Sequence, residues 1–347
     1  MKTKRSYKSL AITSLVVVIL LALFIPLPYY VESPGSTENL KSFVHVEGKN
    51  DTQKGSFNLT TVSVGKSTGL GLLFAKFDPF AEIVSEKELT GGSTQEEYEQ
   101  IQKYYMTSSS NTAIEQALKL ANGKYTMKFM GVYVMDVSKD SDFYGKIGVA
   151  DTVTGVDGKQ FESSKELIDY IKGKKVRDTV TVQYTHGNEK KSSKGKLMKL
   201  PETKNPGIGI TLIDHTEVES TPEITIDAGQ IGGPSAGLMF TLETYATLTG
   251  KDLRHGLKIA GTGTIDADGT VGRIGGIDKK VVSASNEGAK IFFAPDDELT
   301  KEIKKANPGI KTNYQEAKAA AEKIDTKMKI VPVKTVQDAL TYLEKME

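Results

Sequence analysis

The chain has 347 residues, 38% of them hydrophobic and 26% charged, and a net charge of +1. That length suits about two domains plus extensions, and a near-neutral chain has no global field to draw nucleic acid. With no cysteine and no tryptophan, disulfides, thiolate nucleophiles and Cys-ligated metal are excluded.

Lys2, Lys4, Arg5 and Lys8 precede an uncharged run from Leu10 to Leu27. The run is close to the length a bilayer core requires, and no small-x-small cleavage site follows it. Tyr29-Tyr30 fits an interfacial belt. Residues 1–30 are therefore expected to be a basic cytoplasmic tail and a single transmembrane signal anchor in the cell membrane, with everything after Tyr30 extracellular. A cleaved signal peptide is the alternative.

Val31 to Ser36 reads as a turn-rich exit, and Phe43 to Val46 and Phe57 to Val64 as strands. Val64-Gly65-Lys66-Ser67-Thr68 imitates a phosphate loop, but the required glycine five residues before Gly65 is Thr60, so no nucleotide is expected. Leu70 to Phe77 predicts a short helix. Thr94 starts a polar helix through about Tyr105, and Asn111 to Leu120 predicts a second, stopped by Asn122-Gly123.

The next stretch changes character. Phe129 to Val137 reads as a loop followed by a strand. Ile147 to Lys159 holds a strand between two turns, and Ser163 or Ser164 caps a helix with Leu167, Ile168 and Ile171 inward. Thr179 to Tyr184 alternates as a strand, and Lys194 to Leu200 closes the unit. Gly148, Asp151 and Val156-Asp157-Gly158 form a pattern that resembles the PDZ domains attached to bacterial proteases, over about Tyr125 to Leu200. The resemblance implies that Phe129-Met130-Gly131-Val132 cradles a peptide carboxylate and that the strand Val132 to Val137 accepts a peptide by β-augmentation. A packing module without a ligand is the alternative.

The central stretch is Gly229-Gln230-Ile231-Gly232-Gly233-Pro234-Ser235-Ala236-Gly237. It follows a short strand, Glu223 to Ile226, and leads into an apolar helical pattern through Leu238, Leu242 and Tyr245. A serine between a glycine-rich turn and a helix places a hydroxyl beside unpaired backbone N–H groups. The hydroxyl can attack a carbonyl, and the N–H groups around Gly233, Pro234 and Ala236 can hold the resulting oxyanion. An ordinary Ser N-cap is the competing reading.

A serine nucleophile needs a base, and none of His45, His186, His215 and His255 lies in a triad-like motif. A lysine can serve instead where burial lowers its pKa, because desolvation disfavours the ammonium form. No cofactor or metal motif is present; Gly261-x-Gly263 lacks the third glycine of a dinucleotide fingerprint, which falls at Asp266.

Taken together, Pro234-Ser235-Ala236-Gly237 and Gly272-Arg273-Ile274-Gly275-Gly276-Ile277-Asp278-Lys279-Lys280 resemble the proteolytic domain of Lon peptidases. The resemblance implies that Ser235 is the nucleophile, Lys280 the base and Thr262 the residue that orients the lysine. Gly232-Gly233 stands where the family has Asp-Gly, and a membrane anchor and a PDZ domain stand in place of the ATPase. The arrangement resembles the Lon-like, PDZ-containing membrane proteases of Gram-positive bacteria, which implies ATP-independent cleavage of a peptide substrate, such as a secreted quorum-sensing or competence-stimulating peptide. The expected fold is α+β: a Lon-type proteolytic domain (its first part 31–124, its catalytic part 201–347) with an inserted PDZ domain (125–200), preceded by a single transmembrane helix. A non-catalytic, membrane-anchored peptide-binding scaffold is the alternative.

Overall fold

The computed structural model describes residues 9–14 and 23–346. The run expected to cross a membrane falls largely on residues 15–22, outside the described residues. Among the described residues no helix is long and apolar enough to cross a membrane.

The chain enters a long antiparallel hairpin. β1 (Pro26–Asn39) pairs with β3 (Ser56–Thr68), and β2 (Val44–Val46) lies between them in sequence. The expected turn-rich exit is thus strand, and Pro34 is accommodated at a break in register between Pro34 and Thr37. Tyr30, expected in an interfacial belt, is buried in β1, and its hydroxyl donates to Gln95 Oε1 at 2.9 Å. α1 (Gly69–Ala75) continues from β3. β4 (Glu82–Ser85) then pairs with the other edge of β1, and α2 (Glu86–Thr90) follows.

α3 (Gln95–Leu120) is one helix where the sequence predicts two. The run Thr107-Ser108-Ser109-Ser110 has low helix propensity because hydroxyls compete for backbone groups. Here those groups are satisfied within the helix or across it. Thr107 Oγ1 donates to Lys103 O and Thr112 Oγ1 to Ser108 O, while Ser109 and Ser110 are buried.

β5 (Lys124–Val137), β6 (Thr152–Val156), α4 (Ser164–Lys172), β7 (Thr179–His186) and β8 (Glu189–Lys196) form the PDZ-like unit. Two short strands, β9 (Met198–Lys199) and β10 (Pro206–Gly207), pair with each other. β11 (Ile210–Thr221) then runs antiparallel to β5 along its length, giving the order β11-β5-β6-β7-β8. Val132, Phe143, Val153 and Val182 share a core with Leu167 and Ile171 of α4. That core also takes in Ile208, so the unit runs past the boundary predicted at residue 200 and returns through β11.

The rest of the chain completes the larger unit. β12 (Ile224–Ile226) pairs with β2, and α5 (Gly237–Thr249) follows. Then come β13 (Lys258–Gly261), the hairpin β14 (Thr264–Ile265) and β15 (Val271–Gly272), and α6 (Ile277–Asn286). β16 (Ile291–Pro295), α7 (Lys301–Ala306), α8 (Asn313–Lys323), β17 (Lys329–Val333) and α9 (Val336–Glu344) close it. The sheet has the order β17-β16-β13-β3-β1-β4, with β3 parallel to β13. This pairing builds the two distant halves of the sequence into one sheet.

Side chains alternate across that sheet with the period of two that strands impose. Phe57, Leu59, Ile259 and Phe293 face α3, α5 and α9. Ala260, Phe292 and Ala294 face α6 and α8. Leu238 through Leu242 of α5 are wholly enclosed, and each such large apolar side chain contributes about 1.5–3 kcal/mol relative to exposure. The start of α5 and the first turns of α6 are thereby held on opposite faces of one rigid sheet, near the end of β13.

Candidate active site

The turn before α5 is fixed from two sides. On one side, Gly233 N donates to Gln102 O at 2.8 Å and Ser109 Oγ donates to Pro234 O at 2.9 Å, both partners on α3. On the other, Gly263 N donates to Ser235 O at 2.9 Å and Leu238 N to Gly263 O at 3.1 Å. Gly233 adopts a φ of +86°, which glycine tolerates without strain. Gly237 permits close approach, since a Cβ there would meet Ile265 Cγ2 at 2.6 Å. The backbone at Ser235 is therefore held by bonds that leave its side chain free.

Ser235 is not a helix cap. The cap position of α5 is Ala236, with no side-chain hydrogen bond, and that of α6 is Gly276, also without one. Among α1 to α9, each of the other seven carries a Ser or Thr cap. The two uncapped helices are the two that carry this site.

Lys280 comes from the first turns of α6. Its Nζ lies 2.7 Å from Ser235 Oγ and 3.2 Å from Thr262 Oγ1. Thr262 Oγ1 in turn donates to Ser235 O at 3.0 Å, which leaves its lone pairs for an N–H of the amine. The lysine's remaining lone pair, when neutral, then faces the serine hydroxyl. The lysine is 4% exposed and Thr262 1%. Burial brings the Lys280 amine down from 10.5 to about 7, with no ionic partner contributing.

Lys279 is also buried, yet its pKa moves the other way. Burial pulls it down, but the bond to Glu82 at 2.9 Å and the neighbouring Asp278 and Glu32 outweigh that pull. The helix thus turns one lysine to a carboxylate and the next to a hydroxyl. Three of the four histidines bond elsewhere, His186 to Asp151, His215 to Thr152 and His255 to Leu343 O, and His45 is exposed on β2.

Two readings of the sequence need correction. Gly233 and Pro234 are not oxyanion donors: the Gly233 amide is taken by Gln102 O, and proline has no N–H. The amides of Ser235 and Ala236 donate to no acceptor among the described residues, so Ala236 keeps that capacity and Ser235 gains it. Gln102 and Ser109 on α3 support the turn and went unread, because no motif links them to Ser235.

The second correction concerns Phe129, Met130, Gly131 and Val132, which form no loop. They lie within β5, where Gly131 takes a φ of +136° beside a shift in register opposite His215 and Thr216. A Cβ at Gly131 would meet Val153 O at 2.4 Å. The strand Val132 to Val137, expected to accept a peptide, already has β11 along that edge, with Val132 opposite Asp214 and Val137 opposite Ile210.

A cavity of about 1010 Å³ runs between α3, β11 and β12 and reaches Gly229 and Ile231, but Ser235, Thr262 and Lys280 do not line it.

Comparison with known proteins gives two family matches. Residues 101–197 match the PDZ domain family, and residues 221–344 match the Lon protease (S16) C-terminal proteolytic domain. The first match begins inside α3, which packs with the larger unit's core rather than the PDZ-like one. Similar relatives are the Lon protease of Desulforamulus reducens, 42% identical over 65 residues (19% of this chain, 8% of the relative), and that of Acinetobacter baumannii, 31% over 113 residues (33% and 14%). The Lon protease of Mycoplasma mycoides is 22% identical over 286 residues, 76% of this chain and 33% of the relative. The chain therefore spans a third or less of these relatives' length. Among solved structures, the PDZ domain of an SdrC-like protein from Listeria monocytogenes is 43% identical over 25% of this chain and 90% of its own, with a TM-score of 0.24.

Proposed function

We propose that this chain, which carries a Lon-type proteolytic domain and a PDZ domain, is a membrane-anchored serine endopeptidase working through a Ser235–Lys280 dyad outside the cell. The observation that carries the reading is the 2.7 Å approach to Ser235 Oγ of a buried amine that has no ionic partner. An alcohol attacks a carbonyl only when a base takes its proton, and an amine with a pKa near 7 is half neutral at neutral pH.

Ser235 Oγ attacks the scissile carbonyl carbon as its proton passes to Lys280 Nζ. Negative charge develops on the carbonyl oxygen beside the free amides of Ser235 and Ala236 at the start of α5. Collapse breaks the C–N bond, and the departing nitrogen takes the proton from Lys280. The neutral amine then removes a proton from water, whose oxygen attacks the ester; the Ser235–acyl bond breaks and the proton returns to Ser235. Thr262 keeps the amine aimed in both halves.

The resemblance to Lon-like, PDZ-containing proteases assigns it short or already extended peptides rather than folded proteins. A secreted signalling peptide is the substrate class implied by the family resemblance. The test is to place the full chain in lipid nanodiscs with a peptide library and follow products by mass spectrometry. Internal cleavage that disappears in Ser235→Ala supports the endopeptidase. Equal cleavage by Ser235→Ala overturns the dyad, and no cleavage of any peptide favours a binding scaffold.

A further inference from the structure

Away from the dyad, exposed large apolar side chains gather at one end of the six-stranded sheet. Phe24 and Ile25, where the chain enters β1, are 63% and 56% exposed. Leu73 and Phe74 of α1 and Phe77 just beyond it are 50%, 66% and 78% exposed, and Ile83 of β4 is 37% exposed. These elements adjoin one another. Pro26 pairs with Thr68, the residue before α1, and Val31 pairs with Ile83. A Cβ on Gly69, the first residue of α1, would sit 3.5 Å from Leu23 Cα.

Single exposed apolar side chains are ordinary, but a contiguous set marks an interaction surface. The sequence says what covers this one. The uncharged run Leu10 to Leu27 leads into the same end of the sheet, and Leu23 lies beside Gly69 at the start of α1. A bilayer that holds the run up to Leu23 meets α1 at the level of its own interface. Phenylalanine and leucine suit that depth, and the exposed Lys76 between Phe74 and Phe77 suits the headgroups.

We propose that α1 and the residues flanking it form a second membrane contact, with Phe74 and Phe77 seated among the lipid chains. The inference rests on the anchored reading and deepens it. A single span leaves the catalytic unit free to swivel; a second contact fixes its orientation. The bond from Lys279 to Glu82 of β4 ties this end of the sheet to α6, which carries Lys280. The dyad is thereby held at a set height over the bilayer, where peptides leaving the membrane pass first.

The chain contains no tryptophan, so one introduced at Phe74 or Phe77 reports without background. The experiment uses the full chain with Phe74→Trp or Phe77→Trp in nanodiscs of phosphatidylcholine and phosphatidylglycerol, with ordinary or brominated acyl chains. Tyr144→Trp, exposed on the PDZ-like unit, is the control. Covalent labelling of Ser235 verifies that each variant is folded. The proposal expects blue-shifted emission at positions 74 and 77 and about threefold more quenching by brominated lipid than at 144. Water-like emission with control-level quenching overturns it, and so does a blue shift without quenching in a particle of twice the mass, which identifies a second copy as the cover. If the chain does not co-purify with the discs, the anchored reading itself falls; if it co-purifies and the reporters stay unquenched, only this inference falls.

Discussion

The two ends of α5 each bury a cation, in opposite company. Beyond its C-terminus, Arg254 is wholly buried, with Nη1 2.8 Å from Glu243 Oε2 and Nη2 2.5 Å from Asp51 Oδ1. Burial pushes the Glu243 carboxyl up to about 7, and the guanidinium beside it offsets only part of that. Burial also pushes Asp51 up, but Arg254, the Gln53 amide and Lys41 outweigh it and hold that carboxyl below its ordinary value. Before its N-terminus, Lys280 is buried with two hydroxyls and no carboxylate. A charge removed from water without a partner is strongly unfavourable, and an arginine cannot escape it, whereas a lysine can release its proton. Compensated burial is architecture. Uncompensated burial of a titratable cation is stored basicity, and here it sits on a serine.

The contrast is broken most sharply at the dyad. Ser235→Ala and Lys280→Met are each expected to lower the peptide cleavage rate by about 10³-fold or more, measured under saturating peptide. Lys280→Met is also expected to stabilise the fold. The folded-state pKa of Lys280 lies below its ordinary 10.5, so the unfolded chain binds the extra proton. Its contribution to stability is present above about pH 10.5, declines as pH falls toward about 7 and is constant below. Replacing it should raise stability at pH 7 by a few kcal/mol, on the order of 1.4 kcal/mol for each tenfold loss of proton affinity that burial imposes on the amine, as read from urea unfolding.

Arg254→Met should do the reverse. Stranding Glu243, and leaving Asp51 with only Lys41 and the Gln53 amide, costs about 3–5 kcal/mol, with turnover per folded molecule unchanged. A folded Arg254→Met protein without activity would show that the two ends of α5 are not separable. Thr262→Val tests aim rather than charge. It keeps shape and burial but loses the oxygen that bonds the amine, and kcat should drop about 10- to 100-fold with KM little changed. The smallest effect is expected from Lys279→Met, under about tenfold in kcat/KM, because Lys279 faces Glu82.

What could be read in the sequence divides along the same line. Ser235 stood out because a glycine-proline turn precedes an apolar helix, whereas Thr262 and Lys280 were reached only through the resemblance to Lon proteolytic domains; the fold brings the three side chains within hydrogen-bond distance. Arg254, Glu243 and Asp51 were not, because charged residues far apart in sequence read as solvated surface until β3 and β13 bring the halves together. The break predicted in α3 followed intrinsic propensity, which burial of Ser109 and Ser110 overrode. The carboxylate loop predicted at Phe129 to Val132 followed the resemblance to PDZ domains, whereas Gly131 serves as an irregularity in a strand flanked by β11. Local chemistry was visible; the partner that fills a strand edge was not.

The central claim is that Lys280 is a neutral amine near physiological pH while in contact with Ser235. The most direct measurement is the second-order rate at which a fluorophosphonate labels Ser235, followed from about pH 5 to 10, since it needs no known substrate. The account predicts a single rise with a midpoint near pH 7 and a plateau above it, abolished in Lys280→Met. A rate that is flat across the range, or that climbs only as pH approaches the ordinary 10.5 of a solvated lysine, would contradict it.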